Sequence, residues 1–408
     1  MDLSRRRFLQ GTTAGVAGSA LAGGLLAAGA HADAAAGTQN TAAVPDVVAF
    51  HGPHQAGVLT PQQDAAMFAA FDVTVNDKAG LASLMRAITE RVRFLTAGGT
   101  PVDLGAAAPP SDSDILGPVV PADGLTITLG VGSSLFDDRF GIKQAKPAKL
   151  KPMAVFPNDS PDPKWSHGDL LLQICANNRD TVQHALRDIA KHTRGGMQLR
   201  WRMNGFRSPA RPSGTPRNLM GFKDGIVNPL ASEADKLIWV QQNAGEPAWA
   251  TGGSYQVVRV IRMLVEFWDR VSLKEQENMF GRKRDSGAPL DGVTEFDPPN
   301  YAADPNGNTI LLSAHIRVAN PRTAKTDESR LLRRGYNYDA GADLNGNIDV
   351  GLVFCCYQQD LERQFEATQT RLINEPLVDY IQPYGGGYFF ALPGVTDATD
   401  WFGRGFLS

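Results

Sequence analysis

Between Leu311 and Tyr338 the chain reads L-L-S-A-H-I-R-V-A-N-P-R-T-A-K-T-D-E-S-R-L-L-R-R-G-Y-N-Y. One histidine, His315, sits in an apolar, strand-like run of Leu311, Leu312, Ala314, Ile316 and Val318. Apolar surroundings disfavour the imidazolium and leave a neutral ring with a lone pair to offer a metal. The same residue is at home as a core histidine hydrogen-bonded to backbone. Further on, a strand-like run sets Arg333 beside Arg334, and adjacent strand residues face opposite sides, so only one of the two can join a site with His315. Upstream, in N-L-M-G-F-K-D-G-I-V-N-P, Asp224 lies between Lys223 and Gly225, with Gly221 three residues before it. The flanking glycines let the backbone bend closely over a flat ligand, although Asp-Gly is also the signature of an ordinary Asx turn. An aspartate can take a proton and return it. A guanidinium, with a pKa above ~12, can steady an anion but cannot act as a base.

The other histidines are poorer ligands. His184 is expected on the polar face of its helix, His192 at a helix C-terminus where the dipole favours a cation, and His167 in a loop. His51 and His54 fall in a Gly/Pro turn, with no helix to align the pair on a metal. The three cysteines, Cys175, Cys355 and Cys356, are too few for a disulfide framework and read as small buried hydrophobes.

The ordered set of G-x-x-D-G, then H-I-R-x-A-N-P-R, then L-R-R-G-Y resembles the dye-decolorizing peroxidases, a family of haem enzymes. The likeness is greatest to their exported, iron-uptake-associated members, also called deferrochelatases. It extends to H-Q-A-G-V-L-T-P from His54 to Pro61, F-P-N-D from Phe156 to Asp159, E-P-A-W from Glu246 to Trp249 and G-G-G-Y-F-F-A-L-P-G from Gly385 to Gly394. The resemblance implies one haem b per chain, held without thioether links since there is no C-x-x-C-H. His315 would be the proximal ligand of its iron, with a carboxylate partner that the sequence does not identify. Asp224 would handle the peroxide proton on the distal face, and Arg333, rather than Arg334, would be the distal arginine and could also hold a propionate. The backbone of Gly225, Ile226 and Val227 would lie against the haem. Asn320, Pro321 and Arg322 would meet the propionates, and Phe354 would pack in the distal pocket. Arg334 is left for a surface ion pair. Gly335 stands where some relatives carry a distal asparagine, which implies modest peroxidase turnover.

Two functions follow from the resemblance. One is reduction of hydrogen peroxide with oxidation of organic donors such as dyes or phenolics, in an iron-uptake context with iron-uptake components as partners. The other is removal of iron from intact haem, or haem carriage. A haem-free ferredoxin-like binding module is a third. The resemblance also implies homodimers or larger rings.

The segment that precedes these motifs is a targeting signal. Residues 1–32 combine Ser4-Arg5-Arg6-Arg7-Phe8-Leu9 with a Gly/Ala-rich run and an A-x-A end at Ala30-His31-Ala32, the layout of a twin-arginine signal peptide. This implies a periplasmic or secreted protein. Its removal takes away three arginines and one aspartate and moves the formal charge from -3 to -5. A mildly acidic chain of this kind lacks the basic patch that nucleic acid or an anionic membrane would need, and no membrane span remains.

The elements that must position these residues read as α+β. Residues 33–50 are Ala/Thr/Gly-rich and expected to be flexible. Met67, Ala69, Phe71, Val73 and Val75 alternate as a strand. Asn76-Asp77 can cap a helix carrying Leu81, Leu84, Met85, Ile88, Val92 and Leu95. Strands over 125–131 and 169–176, a helix over 179–192 and a strand over 197–204 complete a βαββαβ unit over residues 51–207, the ferredoxin-like order. At a constant offset of 180 residues, Asp169 to Cys175 lines up with Asp349 to Cys355, and Asp180 with Asp360. This argues for a duplicated unit. The second unit spans 218–408, with strands over 254–268, 331–339 and 384–391 and helices over 272–281 and 360–373; residues 208–217 are the linker. The expectation is two tandem ferredoxin-like domains with antiparallel sheets, the haem held mainly by the C-terminal half. Replacing Arg5 and Arg6 by lysine is expected to leave the chain in the cytoplasm with its N-terminal segment intact. Cell fractionation with intact-mass measurement checks this, and normal export would exclude the twin-arginine route.

Overall fold

The computed structural model describes residues 43–408. The expected signal peptide, and the part of the flexible segment before residue 43, lie outside the described residues. Residues 43–50 run against the body of the protein, where Gly124 N donates to Asp46 O (2.6 Å) and Phe50 meets Phe402 edge-on at 5.6 Å.

The first half follows the expected order: β1 (Ala65–Val73), α1 (Lys78–Ala97), β2 (Thr126–Gly132), β3 (Leu170–Ala176), α2 (Arg179–His192) and β4 (Met197–Phe206). The Asp77 carboxylate caps α1, accepting from Gly80 N at 2.7 Å. After a short α3 (Ala234–Leu237) the second half begins with β5 (Ser254–Met263), α4 (Val265–Trp268), α5 (Leu273–Phe280), α6 (His315–Ala319) and α7 (Ala324–Asp327). It continues with β6 (Leu332–Arg333), β7 (Tyr336–Ala342) and β8 (Ile348–Gln358). A π-turn over Leu361–Glu366 runs on as α8 (Ala367–Leu372), followed by β9 (Ile381–Ala391) and α9 (Arg404–Leu407). Asp360 caps the π-turn by accepting from the backbone N–H of Glu362 and Arg363.

All strand pairs are antiparallel, and the two halves share one arrangement. The first runs β4-β1-β3-β2 across its sheet and the second β9-β5-β8-β7, the same ferredoxin-like order. The two sheets join edge to edge, β2 to β9 and β4 to β7, so eight strands close into a ring and no long edge is left open. Alternate residues point inward, and Phe68, Leu171, Val258, Tyr336, Val353 and Phe389 belong to one buried cluster. The opposite face of the first sheet packs under α1 and α2 through Met67, Phe71, Leu81, Ile88 and Ile189. Strands buried on both faces explain why every residue of β2 and β3 is buried. Polar side chains inside the ring satisfy one another: Gln173 Oε1 accepts from Tyr357 OH (2.8 Å) and from Gln256 Nε2 (3.2 Å).

Four local expectations are corrected. The apolar run around His315 is the short helix α6 preceded by a turn, with Leu311 and Leu312 exposed by 39% and 59%; a run this short does not distinguish a strand from a helical turn. The strand expected over 254–268 stops at Met263, because α4 turns the chain away. His184 is buried rather than on a wet face, because the 99–122 loop folds over α2 and Asp112 meets its Nε2 at 2.7 Å. Arg334 is 5% exposed and has no carboxylate partner among the described residues. It points into the end of the ring, where its guanidinium donates to the carbonyls of Thr60 and Pro61 and to Gln63 Oε1.

The glycine run before β9's aromatic residues is needed where β5 and β9 cross at a bulge. A Cβ on Gly386 would stand 2.0 Å from Val258 O, at φ +109°. Gly386→Ala is therefore expected to cost at least ~2 kcal/mol. Gly141→Ala, at φ +66° with nothing within 4 Å, carries the conformational cost alone and is expected to lose on the order of 1 kcal/mol. Urea unfolding of the two variants measures the difference, and equal costs would mean the close crossing is not tight.

Candidate active site

Among the described residues no pair of long helices lies over the outer face of the second sheet. Around His315 it is covered by α5, α6, α8 and the long loops, which leave a cavity with apolar walls that include Ile226, Ile261, Met263, Leu352, Phe354 and Leu377. His315, Asp224, Gly225, Ile226, Val227, Asn320, Arg322, Arg333 and Phe354, more than 120 residues apart in sequence at the extremes, all line it. Pro321 does not; it sits between two lining residues, and Arg322 takes a positive φ of 57° as its N–H donates to Asn320 Oδ1 (3.1 Å).

His315 opens α6, and its Nδ1 lies 2.6 Å from Glu375 Oε2. With the carboxylate accepting the Nδ1 proton, Nε2 keeps its lone pair for a ligand in the cavity. Burial works against the charged ring, but the charge and hydrogen bond of Glu375 outweigh it and raise the His315 pKa above its ordinary value, so the ring is more basic than its apolar sequence neighbours imply. Glu375 is 4% exposed and stands at the start of the Pro376–Tyr380 turn. It is the carboxylate that the sequence did not identify: 60 residues separate it from His315 and no local pattern joins them. Phe280 closes the other side of the ring edge-on at 6.0 Å, itself stacked on Phe222 at 3.9 Å.

Asp224 and Arg333 are brought together as an ion pair, Arg333 Nη1 donating to Asp224 Oδ1 at 3.0 Å. Both are part-exposed, by 35% and 27% at the side chain. Gly221 and Gly225 take φ of +86° and +98°, the freedom their positions require. The same loop grips Arg333 at its backbone: Arg333 N donates to Asn228 Oδ1 (3.1 Å), Asn228 Nδ2 donates to Arg333 O (2.9 Å), and Arg333 Nη2 reaches Val227 O (3.3 Å). Asn228 thus pairs the edge of β6 that no strand covers.

A second group was missed in the sequence. Arg282 lines the cavity and is 6% exposed, its Nη1 held by Gly287 O and Glu295 O. Burial, with the charges of Arg333 and Arg322 adding to it, pushes its pKa down to about 10. Tyr301 beside it is raised to about 12 by burial, and its hydroxyl has no partner among the described residues. Neither Arg282 nor Arg322 pairs with a carboxylate among the described residues. Like charges gathered without a counter-ion make a site for an anionic ligand edge. The F-G-R-K-R stretch around Arg282 was the only sequence signal.

The comparisons with known proteins agree with this geometry. The N-terminal and C-terminal family models of Dyp-type peroxidases match residues 55–207 and 215–396. The chain belongs to the Dyp-type peroxidase family. It is 52% identical over 413 residues to a deferrochelatase of Escherichia coli O6:K15:H31 (strain 536 / UPEC), covering 99% of this chain and 97% of that protein. Among solved structures, a DyP-type peroxidase from Cellulomonas bogoriensis superposes with a TM-score of 0.80 at 37% identity, covering 90% of this chain and 100% of that one. Ferric DtpA from Streptomyces lividans does so at 0.80 and 34%, covering 89% and 98%. The protein is an enzyme, a haem peroxidase. The residues present fit that cofactor: an imidazole with a free lone pair, apolar walls for the macrocycle and unpaired guanidiniums for its carboxylates. The cysteines are all buried in the body and none lines the cavity. His54 is taken up by Gly252 O (2.7 Å) and a stack on Trp239. Among the described residues no cluster of His, Cys, Asp and Glu could hold a metal ion by itself, and no helix is long and apolar enough to cross a membrane.

One cavity-lining cation carries a pH signature. Arg330 donates through Nη1 to Glu233 Oε2 (3.0 Å) and through Nε to Asp327 (2.8 Å). The hydrogen bond from Arg330 holds the Glu233 carboxyl below its ordinary range. A depressed folded pKa means the pair stabilises fully above the unfolded value of about 4.3 and loses that contribution as pH falls through the folded pKa. Against Glu233→Gln, the wild type is expected to be more stable by roughly 1 kcal/mol at pH 7. That gap should shrink as the pH falls below about 4.3. Melting temperatures of the two proteins across pH 3–7 test it, and a pH-independent gap would remove the ionised carboxylate as the cause.

Proposed function

We propose that the cavity would hold a single non-covalent haem b, with His315 as the ligand of its iron and Asp224 and Arg333 as the groups that would activate hydrogen peroxide there. The observation that carries this is the Asp224–Arg333 pair set in the same cavity as a histidine whose second nitrogen is committed to a buried carboxylate. When bound, haem supplies an iron centre that takes two oxidising equivalents from peroxide and is restored by organic donors one electron at a time. Asp224 accepts the proton from the nearer peroxide oxygen and delivers it to the departing one. Arg333 cannot exchange a proton; it stabilises the negative charge that builds as the O–O bond parts, held in place by Asn228 and Val227. Glu375 fixes the His315 tautomer and strengthens its donation. Arg322, with Arg282, meets the two propionates, bidentate where the fork allows, and Arg333 can share one. Most of these groups come from the second half, which therefore carries the cofactor. The domain limits at 51–207 and 218–408, export by the twin-arginine route to the periplasm or medium, and self-association complete the reading.

A second reading, removal of iron from intact haem or haem carriage, is favoured by the 52% identity to a protein named deferrochelatase. Both readings need His315; only peroxide activation needs Asp224 and Arg333. Asp224→Asn and Arg333→Leu are each expected to retain haem. The group that suffices for O–O cleavage should slow the peroxide-driven change in the Soret band on the order of 10²-fold when removed, and the other less. Stopped-flow absorbance measures it. If neither variant is slowed tenfold, the haem-handling reading replaces the first.

A further inference from the structure

A buried ion pair stands next to Asp224 in the chain. Lys223, 6% exposed at its side chain, donates through Nζ to Glu295 Oε2 and to Ser213 O (2.9 Å). Glu295, 7% exposed at its side chain, also accepts at Oε1 from Thr215 N (2.9 Å) and Thr215 Oγ1 (3.3 Å). Its backbone carbonyl accepts from Arg282 Nη1 (2.9 Å). One residue of the long loop between α5 and α6 is thus bonded both to the segment that carries Asp224 and to a cavity cation. The backbone makes room for the pair: a Cβ on Gly214, at φ +77°, would stand 2.1 Å from Glu295 Oε1, and one on Gly287, at φ +78°, 2.7 Å from Lys223 Cδ. A side chain at either position would displace a member of the pair. Asp224 itself is held lightly. Its N–H donates to Pro216 O (3.1 Å), Gly225 after it takes φ +98°, and its carboxylate bonds among the described residues only to Arg333. Arg333 has its own supports in Asn228, Val227 and β8. Arg217 makes another tie between the two loops, donating to Gly221 O (2.9 Å) and to the carbonyls of Arg284 and Asp285, but it meets carbonyls only. Without the Glu295 charge the enclosed ammonium has no counter-ion, a cost the segment can lower by turning Lys223 to water, and Asp224 moves with it.

We propose that Glu295 is a positioning residue for peroxide activation: through Lys223 it fixes Asp224 opposite Arg333, and through its own carbonyl it holds Arg282 in register with them. The proposal rests on the reading of Asp224 as the group that handles the peroxide proton. Glu295 does not line the cavity, so it acts through its neighbours and not on the reacting atoms. One carboxylate residue thereby links the acid of the site to its cationic edge.

The test compares purified holoproteins. Glu295→Gln keeps an acceptor for Thr215 and removes the charge; it is expected to retain haem and to slow the peroxide-driven Soret change by about tenfold or more. General damage to the fold would slow it too, so two further readouts separate the roles. On an Asp224→Asn background the same substitution is expected to change the rate by less than about twofold, since a carboxylate that is gone cannot be misplaced. Amide hydrogen exchange is expected to rise about tenfold or more across residues 214–224 and to stay within about twofold of wild type over α1. If Glu295→Gln does not fold, Lys223→Met combined with Glu295→Gln leaves no enclosed charge unpaired and carries the same expectations. Unchanged exchange across 214–224 overturns the proposal, as does a slowing that persists in full on the Asp224→Asn background. A Glu295→Gln rate within about twofold of wild type overturns it as well. An Asp224→Asn protein that reacts with peroxide at the wild-type rate removes the reading of Asp224 instead, and exchange across 214–224 then alone upholds or overturns the anchor.

Discussion

Closure of the strand ring is the constraint from which the site follows. A four-stranded ferredoxin-like sheet leaves two edges and one uncovered face, and a duplicated pair can remove the edges only by joining them. The seams are short, three residue pairs between β2 and β9 and one between β4 and β7, and they bring the inner faces of both halves into one core. Each sheet then has a single outer face left to bury. In the first half, α1 and α2 do this with long apolar stripes. In the second, α4 and α5 are short and α8 begins as a π-turn, so the cover is discontinuous. The cavity is the gap in that cover, walled below by the β5–β8 strands through Arg259, Ile261, Met263, Leu352 and Phe354.

Electrostatics within the gap are arranged for ligands more than for stability. The Asp224–Arg333 pair is about one-third exposed on each side, where an ion pair contributes little to folding. Its worth lies in fixing two groups of opposite chemistry at 3.0 Å. His315 and Glu375 differ from it, because the carboxylate is 4% exposed and the His315 ring is its one side-chain hydrogen-bond partner among the described residues. A buried carboxylate without that partner is costly, so the pair holds the imidazole in one orientation before any cofactor arrives. Arg282 is held by the carbonyls of Gly287 and Glu295, and burial still lowers its pKa to about 10.

The first half of the fold was legible because its signals are local and long. Asp77 capping a twenty-residue helix with Leu81, Leu84, Met85 and Ile88 on one side leaves little choice of structure, and the repeat of Asp169 to Cys175 at Asp349 to Cys355 carries the reading into the second half. His315, Asp224 and Arg333 were legible as a set through ordered motifs rather than through any pattern in one of them. What sequence could not supply was anything decided by distant contact. Glu375 reaches His315 across α8, Asp112 buries His184 from a loop with no periodicity, and the joining of the two sheets leaves no mark on either strand. The five residues of α6 failed for a different reason, since apolar alternation over so short a run suits a strand and a helical turn alike.

Arg333 and Arg334 show how site and core are joined through one peptide bond. Strand geometry sends the two side chains to opposite faces of the ring wall. Arg333 looks outward to Asp224 and the cavity; Arg334 looks inward to Thr60, Pro61 and Gln63, fully enclosed. Burial opposes the charge on Arg334, and the carbonyls of Thr60 and Pro61 with Gln63 Oε1 are the acceptors that meet it. A cation anchored this way cannot shift without breaking its bonds to the 60–63 segment. β6 is only two residues long, and this inward anchor adds to Asn228 and β8 in holding the segment that carries Arg333. The inward arginine, which no site motif would select, thus ties the outward one to the core.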